Sequence, residues 1–493
     1  MSQRTGLSRR KLIAGGLGAG LAACGGGPAV RTGERRPNVV YVLPDQMRAQ
    51  AMGCMGNTQV RTPNIDRLAS EGVHFRNTLA NTPVCCPARA ILQTGQYASR
   101  NGMVANDLRL REDVTSLAKV FAGEGYRTGF VGKWHLDGGR RMPGYVPPGP
   151  RRQGWEYWAA NQCSHKHFAT QYFRDSADPI PMETFETEGW TDLGLEFLDE
   201  SRKDDQPFFL MLQYGPPHDP YKAPPEYEAL YDAGSLALRP NWREGAGRPV
   251  PGRKEIASYY AMVSSVDDQV GRLMKALDEF GMADDTIFVF NSDHGDMLGS
   301  QGARLKRKPW EESIRVPGII RYPRKVKGGR EESTLLSHVD MMPTLLSLCG
   351  ASAPPGVQGS DLSGVVLGEN YDAPGSVYFQ IFGPFEGGGV DAGWRGVRTE
   401  RYMYARYEDR PWVLYDLAED PYERNNLAGD PAAKPLLEEM DGRINQWMGK
   451  TGDSWALNWR EPVEDKGRLY THETFYTVDE YLEWAKQNPE ATN

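Results

Sequence analysis

The sequence predicts an α/β fold, a large sheet covered by helices with a smaller antiparallel unit behind it, and three observations carry that prediction. Four short apolar runs, Val39 to Leu43, Thr128 to Val131, Phe208 to Gln213 and Ile287 to Phe290, read as buried strands, and each leads into a polar cluster. Helical patterns with glycine stops lie between them: Ile65 to Ser70 before Gly72, Ser116 to Ala122 before Gly125, and Tyr259 to Phe280 before Gly281. Beyond about Gly368 the pattern changes to short runs that read as antiparallel strands.

From the N-terminus, the first 24 residues carry Ser8-Arg9-Arg10-Lys11-Leu12-Ile13, then a glycine-rich apolar run ending at Leu21-Ala22-Ala23-Cys24. Together they resemble a twin-arginine export signal with a lipobox, and the apolar run is too short to span a bilayer. The expectation is an exported periplasmic or cell-surface lipoprotein: residues 1–24 form the signal, a lipid on Cys24 makes the membrane contact, and residues 25–36 form a flexible tether. An ordinary basic N-terminus is the competing reading.

At 493 residues and 39% hydrophobic content the chain can bury a large core, as one big α/β domain with an appendage or as two ordinary domains. A formal net charge of -8 argues against nucleic acid as a partner, so anion recognition falls to a local basic pocket. Cys54, Cys85, Cys86, Cys163 and Cys349 are too few for a disulfide framework in so long a chain.

The strand ends converge on one kind of chemistry. Val39 to Leu43 delivers Asp45 and Gln46, Ile287 to Phe290 delivers Asp293 and His294, Thr128 to Val131 leads into Gly132-Lys133-Trp134-His135, and Phe208 to Gln213 runs toward Pro216-Pro217-His218. In open α/β sheets ligands bind beyond the carboxyl ends of the strands, so these polar residues share a destination.

Cys85-Cys86-Pro87-Ala88-Arg89, with Thr94 and Gly95 behind it, reads as a nucleophile at the start of a short helix. Pro87 suits the first helical position and Gly95 the stop, which puts Cys85 at the positive end of the helix dipole, where a sulfate or phosphate is favoured. The same cysteines also suit a buried thiol pair or a vicinal disulfide.

These residues match the C-x-P-[SA]-R sequence of the type I, formylglycine-dependent sulfatases of the alkaline phosphatase superfamily, with Thr94 and Gly95 in register. The resemblance runs from about Pro37 to at least Leu427, with Ala88 and Gln93 as departures that leave Cys85, Pro87 and Arg89 intact. It implies an alkaline-phosphatase-like large mixed sheet flanked by helices over residues 37–368, and a C-terminal subdomain of antiparallel sheet plus helix over residues 369–493. It also implies that Cys85 is converted to formylglycine by a maturation enzyme of the host, Cys86 being the variable position.

By the same resemblance Asp45, Gln46, Asp293, His294 and the modified Cys85 would bind one divalent cation. Hard oxygen donors point to calcium. Many relatives have a second aspartate at Gln46 and some an asparagine at His294, so magnesium or manganese stays open. Arg89 would hold the formylglycine diol and carboxylates in register, and Lys133 and Lys306 would neutralise sulfuryl oxygens. Lys306 is placed by the following Trp310-Glu311-Glu312-Ser313-Ile314-Arg315-Val316-Pro317, which resembles a family segment, and Lys308 is its nearby rival. His218, with Lys306, would protonate the leaving alcohol, and His135 would assist collapse of the sulfated hemiacetal.

In the C-terminal part, Gly396 to Thr399, Tyr402 to Tyr404 and Leu414 to Leu417 read as antiparallel strands, and Asp430 to Met448 as an amphipathic helix packed on them. Arg140, Arg141, Arg151, Arg152 and the stretch Arg304 to Lys308 could line a cleft for a sulfated polysaccharide or be solvated loop charge. Trp155, Trp158, His165 and His167 could serve as sugar contacts, with packing as the alternative for the tryptophans. The implied activity is hydrolysis of an organic sulfate ester, a sulfated carbohydrate above all. A phosphonate monoester or phosphodiester hydrolase, or a non-catalytic lipid-anchored glycan-binding protein, are the rival functions.

Overall fold

Asn38–Pro44 is buried at all seven positions, and its alternate side chains enter different cores. Val39, Tyr41 and Leu43 pack with Ala90 and Ile91 and with Met341, Leu345 and Leu346, while Val40 and Val42 pack with Ile65, Leu68, Trp190, Val263 and Val270. Phe209 and Met211 go to the first core, and Phe208, Leu210 and Leu212 to the second. That two-residue period on both faces is why these strands read as continuous apolar runs in the sequence. The computed structural model describes residues 35–138, 142–246, 249–369, 371, 373–382, 392–455, 469–470, 474–475 and 487. The chain divides before Arg36, and the strands and helices belong to the unit Arg36–Asn493. The export-signal expectation, the tether up to residue 34, Arg140 and Arg141 fall outside the described residues.

The large sheet runs in the order Arg330–Ser337, Val73–Leu79, Gly318–Arg321, Thr286–Asn291, Asn38–Pro44, Phe208–Tyr214, Arg127–Lys133, Tyr157–Asn161, with Arg315–Val316 paired to Val73–Leu79. Thr286–Asn291, Asn38–Pro44, Phe208–Tyr214, Arg127–Lys133 and Tyr157–Asn161 form a parallel block. Gly318–Arg321 runs antiparallel to both its neighbours, which makes the sheet mixed, as the family resemblance implies. Pro63–Glu71, Glu186–Ser201 and Arg253–Glu279 cover one face; Cys85–Thr94, Leu117–Gly123 and His338–Leu348 cover the other.

Three boundaries differ from the sequence reading. The long helix begins at Arg253, two turns before Tyr259, because its polar first turn is closed by Glu255 accepting from the Gly252 N–H at 3.1 Å. The nucleophile helix begins at Cys85, so Pro87 stands third in it; the first-turn N–H groups have no partner within the helix, and the missing donor still costs nothing. The C-terminal helix is Lys434–Thr451, entered from a 3₁₀ turn at Pro431–Ala433.

The four-stranded antiparallel sheet Val377–Ile381, Trp394–Arg398, Tyr402–Arg406, Pro411–Asp416 contains one strand, Val377–Ile381, that the pattern did not single out. Tyr378, Val397, Tyr404 and Leu414 on one face share a core with Met440 and Ile444 of the C-terminal helix. Phe379, Trp394, Met403 and Val413 on the other pack with Leu79 and Leu335 of the large sheet's outer two strands and with Val84 and Ile314 beside them. Trp394 Nε1 donates to the Arg307 carbonyl at 3.0 Å, and Arg398 pairs with Glu311 at 3.2 Å, so this sheet braces the segment that carries Lys306.

Candidate functional site

Because Thr286–Asn291, Asn38–Pro44, Phe208–Tyr214 and Arg127–Lys133 are parallel neighbours, the residues after them open onto one rim. Gln46 turns the chain with φ 68°, and its N–H donates to Asp293 Oδ1 at 3.0 Å, tying the first loop to the last. Gly132 has φ 108°, and a Cβ there would lie 1.9 Å from the Gln213 carbonyl, so only glycine lets the chain carry Lys133 past its neighbouring strand.

Cys85 sits at the helix start and is 2% exposed. Its Sγ lies 3.2 Å from His294 Nε2 and 4.0 Å from Asp45 Oδ1. Burial alone would raise this thiol, but Lys306, His294 and Lys133, with a hydrogen bond from His135, outweigh it and hold the group well below the ordinary thiol range. Cys86 turns into the core, where its Sγ accepts from the Asp107 N–H at 3.3 Å. Both are free thiols, so the vicinal disulfide is corrected: the two side chains leave the helix start in different directions.

The two carboxylates divide their oxygens. Asp45 Oδ2 accepts from Lys133 Nζ at 2.7 Å and Arg89 at 3.0 Å, and Asp293 Oδ2 accepts from Arg89 at 2.9 and 3.1 Å. Their Oδ1 atoms lie on the opposite side, 3.7 and 3.6 Å from His294 Nε2. His294 Nδ1 donates to the Gly295 carbonyl at 3.0 Å, which leaves Nε2 with its lone pair toward the same space. Ligand atoms of Asp45, Cys85, Asp293 and His294 all lie within 4.8 Å of one another. Two carboxylate oxygens and an imidazole nitrogen aimed at one point fit a divalent cation, which would take the place of a proton on Nε2. Burial and Cys85 push the Asp45 carboxyl up, but Lys133, His218 and Arg89 win and hold it well down, in the charged form a cation needs. Arg89 is fully buried; besides the two carboxylates it bonds the Lys133 carbonyl at 3.0 Å and Gln213 Oε1.

On the far side, Lys306 Nζ donates to Gln46 Oε1 at 2.5 Å and to His218 Nε2 at 2.9 Å. Gln46 Nε2 donates to Asp296 at 2.7 Å and Asp219 at 3.3 Å, so both ends of its amide are engaged in this network. Of the rival lysines, Lys306 is the one whose ammonium meets His218 and Gln46. Burial would raise Asp219, but His218, Lys306 and His165 hold it at about 2. His135 has φ 56°, and its Nε2 lies 3.0 Å from Asp107 Oδ1. Burial alone would lower His135, yet Cys163, Cys86 and Asp107 lift it well above the ordinary imidazole value.

All of the predicted site residues, Asp45, Gln46, Cys85, Arg89, Lys133, His135, His218, Asp293, His294 and Lys306, therefore meet in one buried cluster. Asp107, Gln213, Asp219 and Asp296 join them unannounced. Asp219 and Asp296 stand within two residues of predicted ones and Gln213 ends a predicted strand, so these were findable by position in the chain; Asp107 had no such signal. Trp155 and Trp158 prove to be packing residues, against Phe209 at 4.9 Å and Phe130 at 5.1 Å. Arg151, half-buried, pairs with Asp137, and Arg152 is buried on the Val146 carbonyl and Asp175, which takes Arg152 away from any cleft. Arg304 donates to the Pro249 carbonyl at 3.1 Å. His165 stacks on His218 with ring centroids 4.3 Å apart, and His167 joins Glu186 to the His218 carbonyl, the latter at 2.9 Å.

Comparison with known proteins agrees with this geometry. The Sulfatase family profile matches residues 37–351, and the profile described as N-sulphoglucosamine sulphohydrolase, C-terminal, matches residues 299–450. The chain is 38% identical over 426 residues to the Ulvan-active sulfatase of Formosa agariphila, covering 85% of this chain and 82% of that one. It is 30% identical over 478 residues to the Endo-4-O-sulfatase of Bacteroides thetaiotaomicron, covering 85% and 93%. A solved structure in complex with its substrate D-glucosamine-2-N,6-O-disulfate aligns with a TM-score of 0.77 at 25% identity, covering 85% of this chain and 99% of that one.

Proposed function

The chain belongs to the sulfatase family of the alkaline phosphatase superfamily, and from that premise we propose that it removes sulfate from a sulfated carbohydrate, using Cys85 as formylglycine and a divalent cation. The observation that carries the reading is the divided carboxylate pair. Asp45 and Asp293 each give one oxygen to buried cations of the chain and turn the other toward Cys85 and His294. A relative named for ulvan and a neighbour holding a disulfated glucosamine support a sugar as the substrate.

Asp45, Asp293 and His294 would hold the cation, with Gln46 beside them; oxygen donors favour calcium, and the imidazole keeps magnesium and manganese in play. When bound, the cation makes the nucleophile's hydroxyl more acidic and polarises a sulfate oxygen, and the oxidised Cys85 supplies that hydroxyl as an aldehyde hydrate. Arg89 keeps both carboxylates in register from a fully buried position. Lys133 and Lys306 face the sulfuryl oxygens as charge shifts onto them and toward the leaving group. The hydrogen-bonded pair of Lys306 Nζ and His218 Nε2 acts as one acid and supplies the proton to the departing sugar oxygen, the proton coming from the Lys306 ammonium. His135, in contact with Cys85, stands where the proton that must leave for sulfate to be expelled is released, and in its uncharged form it would take that proton.

The same proposal includes export by the twin-arginine route, anchoring through a lipid on Cys24, and conversion of Cys85 by a maturation enzyme before folding closes over it. Mass spectrometry of the peptide spanning Cys85 tests the nucleophile, since the aldehyde is lighter than the thiol. Parallel assays on sulfate esters and on phosphate and phosphonate esters test the reaction. An unconverted Cys85, or faster turnover of the phosphorus esters, would overturn the reading.

A further inference from the structure

Two loops form one wall of the site and continue it outward to the surface. His165 stacks on His218, His167 Nε2 donates to the His218 carbonyl at 2.9 Å, and Phe168 lies under the ammonium of Lys222, 5.6 Å from its ring centroid. The stretch from His218 to Lys222 thus runs alongside the stretch from His165 to Phe168. Its inner end is the proposed proton donor and its outer end is an exposed lysine. Four residues span at most about 14 Å, which is one to two sugar rings beyond the reacting bond.

The chemistry along this wall changes in a definite order. At the inner end His165 is partly exposed; burial and then the neighbouring His218 push its imidazole down to about 4, so its ring meets a ligand uncharged. At the outer end Phe168 is 43% exposed although Phe185 packs on it at 4.9 Å, and it is one of three large apolar side chains so exposed among the described residues. Lys222 and Lys166, on the two loops, are both exposed. The acid on the inner stretch, Asp219, is 36% exposed, but its carboxylate is held by His218 Nδ1 at 3.2 Å and Gln46 Nε2 at 3.3 Å, which pairs its charge at the inner end of the wall. An aromatic ring beside Lys222, with the exposed Lys166 two residues before it in the chain, offers a sugar ring an apolar floor and its substituent a positive charge.

We propose that Phe168 and Lys222, with Lys166, form a subsite for an anionic sugar next to the sulfated one, so that the enzyme selects polysaccharide in which the neighbouring residue carries a carboxylate or a second sulfate. This rests on the reading of the site as a carbohydrate sulfatase. Lys222 is the specificity-determining residue and Phe168 the platform. The neighbouring sugar stays bound through both bond-making and bond-breaking, so its contribution falls on kcat/KM, chiefly through KM.

The test uses the mature, metal-loaded enzyme and three disaccharide sulfates that differ in the neighbour: a uronate, a second sulfated sugar and a neutral sugar. The wild type is expected to prefer at least one anionic neighbour, and the two anionic arms tell which anion is taken. Lys222→Gln is expected to cut that preference about fivefold, the loss of one partly screened charge contact. Phe168→Ala is expected to raise KM on all three with kcat held. A wild type that treats the three alike or releases sulfate from none of them, a Lys222→Gln enzyme with its preference intact, or a Phe168→Ala effect confined to kcat, would overturn the subsite. Turnover of 4-nitrophenyl sulfate by the same preparation decides separately whether the sulfatase reading stands.

Discussion

Lys306 donates its ammonium hydrogen to Nε2 of His218 across 2.9 Å, and that contact fixes the hydrogen-bonding roles of both groups. His218 Nδ1 lies 2.7 Å from the Asp219 carbonyl, which only accepts, so Nδ1 carries the ring hydrogen and Nε2 presents a lone pair to the lysine. A proton delivered at Nε2 is then drawn from Lys306, and the two residues act as one acid.

From this pairing, His218→Ala and Lys306→Ala are each expected to lower kcat on alkyl or sugar sulfates about 100-fold or more, the usual scale of general acid catalysis. The loss on 4-nitrophenyl sulfate should be smaller for His218→Ala, because that leaving group departs with little protonation. Since the pair works as a unit, the double variant should fall little below the worse single one. Equal losses of His218→Ala on both substrate types would remove the acid role.

Cys85→Ala is expected to abolish turnover while leaving the circular dichroism spectrum and melting temperature near those of the wild type, because the side chain fills little of the core. Cys85→Ser should release the alcohol once and keep the sulfuryl group as a serine ester, since it lacks the second hydroxyl through which sulfate is expelled. Intact-mass measurement after one turnover checks this. Steady turnover by either variant would refute the nucleophile assignment.

How much of this was legible in the sequence depends on whether the signal was local. Asp45, His218 and Asp293 follow strands with long apolar runs and Lys133 ends another, so both the strand and its polar end could be read. Val73–Leu79 escaped notice because His74, Arg76 and Asn77 break its run, and its place in the sheet comes from pairing with Arg330–Ser337, more than 250 residues away. Val377–Ile381 becomes a strand through its partner Trp394–Arg398. Glu186 carries no motif at all. It reaches the site from a helix start, through His167, and nothing near it in the chain announces that path. The charge division in Asp45 and Asp293 is likewise a property of the folded cluster and of no short segment.

Removing Asp45 should expose two roles at once. Asp45→Ala leaves Arg89 and Lys133 buried with a partner missing, a change that costs about 3–5 kcal/mol where one member of a buried pair is deleted. It also takes away one of the proposed cation ligands. The expected outcome is a lowered urea midpoint together with loss of bound metal by elemental analysis. In the wild type, chelation should stop turnover and added calcium, magnesium or manganese should restore it in the order of true preference. A variant that keeps its metal and loses only stability would remove Asp45 from the ligand set.

His338 should set part of the pH dependence of stability. It is completely buried, and its Nε2 donates to the Ser292 carbonyl at 2.9 Å, bracing the turn before Asp293. Burial pushes its imidazole down to about 3; the Ser292 carbonyl works the other way, and His294 adds to the fall. In the folded protein the ring therefore stays neutral where the unfolded chain takes up a proton near the ordinary imidazole value of 6.5. The stability this supplies is fully present above pH 6.5 and is lost as pH falls toward 3. Between pH 7.5 and pH 5.0 a single such group is worth about 2 kcal/mol. His338→Gln keeps a donor for Ser292 without a titrating ring. Urea unfolding at the two pH values, on chelator-treated protein so that cation affinity does not enter, is expected to show a pH difference about 2 kcal/mol smaller in the variant. An unchanged difference would assign the acid sensitivity to another group.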